Sequence, residues 1–190
     1  MQGRRALLVT GASDIGSAAA SFLRQCGFSD ICTASNGGEA RRCTGSDSFD
    51  LILINMPLSD EQGDRLAVQL SGTVSAGIIL LCRADAADDI MNRTIGYGVT
   101  VVPKPIHKIA FHQAISSGLA MRSRLLAVKQ ENIRLQKKLS ELRTVSRAKC
   151  MLIDKKSMTE QDAHRYIEKL SMDRRRNREE IAEEIISQLR

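Results

Sequence analysis

Apolar residues in the first 120 positions come in short unbroken runs: Ala6–Val9, Ile31–Ala34, Leu51–Ile54, Ile78–Cys82 and Thr100–Val102. Unbroken runs of this length, rather than strict alternation, predict strands covered on both faces, as in a parallel sheet. Between them, apolar residues fall at helical spacing over about Ile15–Cys26, Gly38–Thr44, Gly63–Leu70, Asp88–Thr94 and Ile109–Leu119. Strand and helix therefore alternate. The pattern predicts an α/β fold with a five-stranded doubly wound parallel sheet.

The pattern changes after this region. From about Ile106 to Asp154 there is no proline, and Gly118 is the only glycine. This predicts one long helix, or one bent near Gly118, running for roughly 70 Å at ~1.5 Å per residue. Its middle carries a heptad, with Leu125, Asn132 and Leu139 at a and Met121, Val128, Leu135 and Leu142 at d. A single asparagine at an a position fixes register and favours two strands, so a parallel homodimer is expected. The flanking pairs Arg124–Lys129 and Lys138–Arg143 would meet there as like charges, and packing of the stripe on its own chain stays open.

Two shorter helices follow. Thr159 predicts an N-cap, with Glu160 and Asp162 in the first turn. The apolar face is Ala163, Tyr166, Ile167 and Leu170, which places the Tyr166 ring in a core first and on a nucleic acid second. Asn177 followed by Glu180 predicts a second start, with Ile181, Ala182, Ile185, Ile186 and Leu189 as its face. Packed on Ala148, Met151 and Leu152 of the long helix, these stripes would close a small three-helix all-α module.

Charge divides the chain in the same place. Residues 1–120 carry a net charge of −1 and residues 121–190 a net charge of +7. A basic module behind a near-neutral domain predicts an anionic partner, nucleic acid first, although a merely solvated basic helix surface would read the same way. Aromatics are only 3% of residues and tryptophan is absent, which disfavours a function resting on many stacking rings. The five cysteines form no CxxC pair, as expected of reduced thiols in the cytoplasm rather than of a disulfide or zinc framework. Neither a signal peptide nor a membrane span is expected.

The turn Val9-Thr-Gly-Ala-Ser-Asp-Ile-Gly16 opens like a dinucleotide site. It is one residue short of the short-chain dehydrogenase pattern and lacks the middle glycine that admits a pyrophosphate. No acid closes the second strand, and neither Tyr97 nor Tyr166 has a lysine four residues on. No enzyme activity and no cofactor are expected.

A five-stranded α/β domain of this length resembles the receiver domain of bacterial two-component systems, with its flavodoxin-like sheet. The likeness rests on "DLILINMPLSDEQG", on the separation of Gly63 from Asn55, and on Lys104-Pro105 in "VVPKPI". The resemblance places Asn55 at the phosphoacceptor aspartate. It places Thr10 and Gly11 at the two metal-binding acids, and Cys82 at the serine or threonine after strand four. The aromatic switch position is Val101, and Lys104 alone is retained. Asp14 lies near the turn, but one carboxylate does not rebuild a magnesium site. The expectation is a pseudo-receiver at residues 1–120 that holds no metal and takes no phosphate.

Residues about 131–189 resemble the ANTAR family of RNA-binding antitermination domains. The carrying residues are Ala148-Lys149, Met151-Leu152, Ala163, Tyr166-Ile167, Leu170-Ser171-Met172, and Ile181, Ala182 and Ile185, with Cys150 where a glycine is common. The resemblance implies a dimeric antiterminator that binds hairpins in a leader transcript and keeps the terminator from forming. Its expected parts are the pseudo-receiver, a coiled-coil linker at 121–145 and an RNA-binding module at 131–190 that shares the long helix. The basic candidates for RNA contact are Arg143, Arg147, Lys149, Arg165, Lys169, Arg174, Arg175, Arg176 and Arg178. About half of them are expected to be ordinary surface. By analogy, the controlling signal comes from a regulatory sensor protein or its bound ligand, not from phosphorylation. A DNA-binding response regulator and a purely dimeric interaction scaffold are the alternatives.

Overall fold

The computed structural model describes residues 3–11 and 13–189, with the side chains of 13–15 outside the description. The Asp14 carboxylate considered above therefore lies outside the described residues. The chain divides into two compact units, 1–127 and 128–190.

The first unit is a parallel sheet of β1 (Arg4–Thr10), β2 (Phe28–Ala34), β3 (Leu51–Asn55), β4 (Gly77–Arg83) and β5 (Val99–Lys104), in the order β2-β1-β3-β4-β5. Each predicted run lies inside one of these strands. The helices are α1 (Ser13–Gln25), α2 (Gly37–Ser46), α3 (Gly63–Thr73), α4 (Ala87–Thr94) and the start of α5 (Lys108–Lys156). Alternate residues of each strand point to opposite faces. One face, with Leu7, Val9, Ile52, Ile54 and Leu80, packs on Leu66, Ala67 and Leu70 of α3 and Ile90 of α4. The other, with Ala6, Leu8, Leu53, Ile79 and Leu81, packs on Ala19 and Leu23 of α1 and Phe111, Ala114 and Ile115 of α5. Both faces being covered explains why the strands read as continuous apolar runs.

The strands extend beyond their apolar cores through charge pairing. The Arg5 backbone N–H donates to the Asp50 carboxylate at 2.7 Å, and its guanidinium meets Asp30 at 2.6 Å and Asp47 at 3.1 Å. These contacts hold β1 beyond the predicted start at Ala6.

Helix α5 is continuous over 49 residues and carries no break at Gly118. The second unit contains its C-terminal part, α6 (Glu160–Arg174) and α7 (Arg178–Gln188). Both predicted caps form: Thr159 accepts from the Asp162 N–H at 3.1 Å, and Asn177 accepts from the Glu180 N–H at 2.9 Å. The core is Ala148, Leu152, Ala163, Ile167, Ile181, Ala182 and Ile185, with Val145, Met158, Tyr166 and Leu170 packed around it. Met151 was expected in this core and stands outside it, half-buried; Val145 and Met158 contribute in its place. One turn earlier on the helix, Val145 shares the face of Ala148 and Leu152.

Candidate nucleic-acid interface

Parallel α/β sheets place their sites at the carboxyl ends of the strands. Here that end has a cavity of about 530 Å³ beside β1 and β2, lined by Thr10, Gly11, Thr33 and Ser35 among others, and side chains pair with one another across β1, β3 and β5. Asn55, 2% exposed, donates from Nδ2 to Thr10 Oγ1 at 2.9 Å, which ties β3 to β1. Lys104 donates to the Met56 carbonyl, and burial pulls its ammonium below the ordinary lysine range. Cys82 is buried, and burial pushes its thiol up.

The neighbouring acids are engaged elsewhere. Asp60 accepts from the Gly37 and Gly38 N–H groups at 3.0 and 3.1 Å, a cap that holds its carboxyl below the usual range. Glu61 takes both arms of the Arg41 guanidinium at 2.6 and 2.7 Å. Glu39 accepts from the Ser35 hydroxyl and N–H, which lowers its pKa. Magnesium asks for several hard anionic oxygens. The Thr10 hydroxyl and the Asn55 amide, bonded to each other, do not fit it. Among the described residues no group of three or more His, Cys, Asp or Glu could hold a metal ion.

The α5 stripe has a different environment. Leu125, Val128, Leu135, Leu139 and Leu142 are exposed, Leu135 by 57% and Leu142 by 59%. Met121, at the head of the stripe, is 41% exposed and has its Cε 2.9 Å from the place a Cβ would take on Gly98. Asn132 is exposed in the middle of the same stripe.

The nine basic candidates separate into two groups. Arg174 pairs with Glu184 at 2.6 Å, Arg176 with Glu180 and Glu184 at 2.9 Å, and Arg178 with Glu168 at 3.1 Å. These contacts clamp the turn between α6 and α7. Lys149 meets Glu160 at 3.0 Å across the turn between α5 and α6. Arg143, Arg147, Arg165, Lys169 and Arg175 are exposed and make no ion pair among the described residues. Arg175 also has a left-handed backbone, φ 50°, at the C-cap of α6.

Two features add to the sequence reading. Met172, 72% exposed, lies on the same face of α6 as Arg165 and Lys169. A groove of about 400 Å³ is lined by Arg143, Thr144 and Arg147 of α5 and Glu183, Ile186 and Ser187 of α7. Met172 was legible only as the end of Leu170-Ser171-Met172, and Glu183 only as one of several acids beside an arginine run. Tyr166 is half-buried against the core, with Lys156 Nζ 5.8 Å from its ring centre, as its place on the stripe predicts.

Residues 134–186 match the ANTAR domain family. The whole chain is similar to the transcriptional regulatory protein PdtaR of two Mycobacterium tuberculosis strains. Identity is 25% over 186 residues, which span 98% of this chain and 91% of that protein. A response regulator receiver domain protein from Clostridium thermocellum aligns with a TM-score of 0.56 and 21% identity over 65% of this chain and 98% of that one. A CheY-like receiver domain protein from Methanospirillum hungatei gives 0.57 and 18%, again over 65% and 98%. These two likenesses establish the fold of the first unit. No helix among the described residues is long and apolar enough to cross a membrane. The matched family is regulatory and is not a class of enzymes. A receiver fold in the first unit, a match to the ANTAR domain family behind it and a likeness to a transcriptional regulator along almost the full length support an ANTAR response regulator with a receiver domain.

Proposed function

We propose that the protein is an RNA-binding antiterminator that works as a homodimer in the cytoplasm. Its module at residues 131–190 grips hairpins in a leader transcript, and the coiled coil at 121–145 joins two copies. The observation that carries this reading is the ANTAR match over 134–186, and the exposed candidates Arg143, Arg147, Arg165, Lys169 and Arg175, which make no ion pair among the described residues, support it. Arginine pairs with phosphate and stacks on unstacked loop bases, which suits RNA hairpins better than a DNA duplex. The protein has only to bind one RNA fold better than its competitor to shift the population towards read-through. Two linked modules engage two hairpins with an avidity that neither has alone.

Titration of the full-length chain against a two-hairpin RNA, a single hairpin and duplex DNA tests this. The expected order of affinity is two hairpins, one hairpin, duplex. Equal binding to duplex DNA at moderate salt favours a DNA-binding regulator, and no binding to any of them favours an interaction scaffold.

Control in this reading does not pass through phosphorylation, and a sensor protein or its ligand supplies the signal. The residue-1–120 domain then serves as a docking platform. Its Asn55 amide is a poor nucleophile towards a phosphoryl group, and its hydrogen bond to Thr10 supports this reading. Incubation with acetyl phosphate and Mg²⁺ is expected to leave the intact mass unchanged. A stoichiometric phosphate adduct contradicts this.

A further inference from the structure

The cavity of about 530 Å³ in the first unit lies between α1 and the carboxyl ends of β1 and β2. It is on the β2 side of β1, away from Asn55 on β3. The apolar floor of this sheet face stops there. Ala6 and Leu8 on β1 give way to Thr10, and Ile31 on β2 gives way to Thr33 and Ser35. The α1 wall is small, with Gly16 and Ala20. Two of the polar groups are engaged by neighbours. Thr10 accepts from Asn55, and Ser35 donates to Glu39 at 2.6 Å and accepts from Asn36 at 3.2 Å. Two others are not. Among the described residues the Thr33 hydroxyl makes no hydrogen bond, and the exposed Arg24 guanidinium makes neither a hydrogen bond nor an ion pair. Arg24 is also the only charged side chain among the described residues that line the cavity, and none of them is aromatic.

A flat ring has nothing to stack on here. A bare anion gains little, because one exposed guanidinium in water holds it weakly. A guanidinium beside a hollow floored by hydroxyls suits a small molecule with one anionic end and a hydroxylated body. We propose that this cavity is a binding site for a hydroxylated organic anion of the sugar-phosphate or sugar-acid class. Arg24 pairs with its phosphate or carboxylate, and the Thr33 hydroxyl bonds to a hydroxyl of its body. Gly16 and Ala20 leave that body room. The site is also joined to the long helix. Phe22 of α1 stands edge-on to Phe111 of α5 with ring centres 5.7 Å apart, and Cys26 Sγ lies 3.6 Å from His112 Nε2. The first domain thus takes a chemical signal without phosphorylation, whatever the second unit binds.

The test titrates the full-length protein by calorimetry with glucose 6-phosphate, gluconate, glucose and inorganic phosphate. Glucose 6-phosphate or gluconate is expected to bind on the order of tenfold more tightly than glucose or phosphate, the scale of one hydrogen bond to a charged group. Which of the two binds better tells whether the anion is a phosphate or a carboxylate. Arg24→Gln is expected to lower that affinity on the order of tenfold, to the level of glucose. Thr33→Val keeps the side chain's shape and a good strand former, and is expected to weaken binding several-fold. Neither change removes a side-chain contact within the fold, so both variants melt with the parent. If neither sugar anion binds, or if binding survives both substitutions, the cavity is not such a site. If inorganic phosphate binds as tightly as glucose 6-phosphate, charge alone is at work and the proposal is overturned.

Discussion

Gly77→Ala lowers the thermal midpoint of the receiver-like unit by roughly 10 °C, about 3 kcal/mol in a domain of this size. Gly77 opens β4, where α5 crosses the sheet. A Cβ built on it meets the carbonyl carbon and oxygen of Gly118 at 2.5 Å and its Cα at 2.8 Å. The obstacle is helix backbone, which has no flexible end to swing aside. It belongs to the segment that carries Phe111, Ala114 and Ile115 into the core. Relief requires α5 to lift from the sheet, and that loosens the packing beneath Ile79 and Leu81.

The reverse substitution behaves differently. A Cβ on Gly118 meets the Cδ1 of Leu51 at 3.1 Å, a side-chain end that can rotate. Against this small repulsion stands the helix preference of alanine over glycine, about 1 kcal/mol. Gly118→Ala therefore leaves the midpoint close to that of the parent. Gly72→Ala, near the end of α3 with nothing within 4 Å of the new Cβ, is the control and is neutral or stabilising. Circular-dichroism melts of the three variants check the order. If Gly77→Ala melts with the parent, the close pass of helix over sheet is not what holds α5 in place.

The glycine pair illustrates what a sequence can and cannot disclose. Gly118 was visible as the only glycine in a long helical stretch, and it suggested a bend. The structure gives it another task, close approach to β4, because its partner Gly77 lies 41 positions earlier and nothing local marks them as neighbours. The strands were legible because burial on both faces leaves an uninterrupted apolar run. Their ends were not, since Arg4, Arg5 and Asp30 are held by pairings across the sheet edge. In the basic module, residue type was legible and pairing was not. The run Arg174–Arg178 reads as a phosphate grip. Yet Glu180 and Glu184, one turn apart on α7, fold back onto Arg174 and Arg176 and engage them. The Arg174 guanidinium holds the Glu184 carboxyl below its ordinary range. The candidate interface accordingly moves towards Arg143, Arg147, Arg165, Lys169 and Arg175.

Leu135→Asp combined with Leu142→Asp converts the protein to a monomer and removes the advantage of two hairpins over one, a loss of about 100-fold or more in affinity for the two-hairpin RNA. Both leucines are more than half exposed, so the double variant leaves either compact unit little changed and its melt should match the parent's. What it removes is the gain from closing the seam. Each leucine buried between two helices contributes about 1.5–3 kcal/mol, and a charge at a d position reverses that sign in both strands at once. The flanking charges add a check on orientation. In a parallel pair Arg124 faces Lys129 and Lys138 faces Arg143, all of like sign, so added salt screens repulsion and tightens the dimer. The same salt weakens each module's hold on RNA, because phosphate contacts release counterions. Sedimentation equilibrium and RNA titration across one salt series should therefore move in opposite directions. If the aspartate variant still sediments as a dimer, the heptad stripe is not the dimer seam. If it becomes a monomer and keeps its two-hairpin advantage, one module spans both hairpins and avidity plays no part.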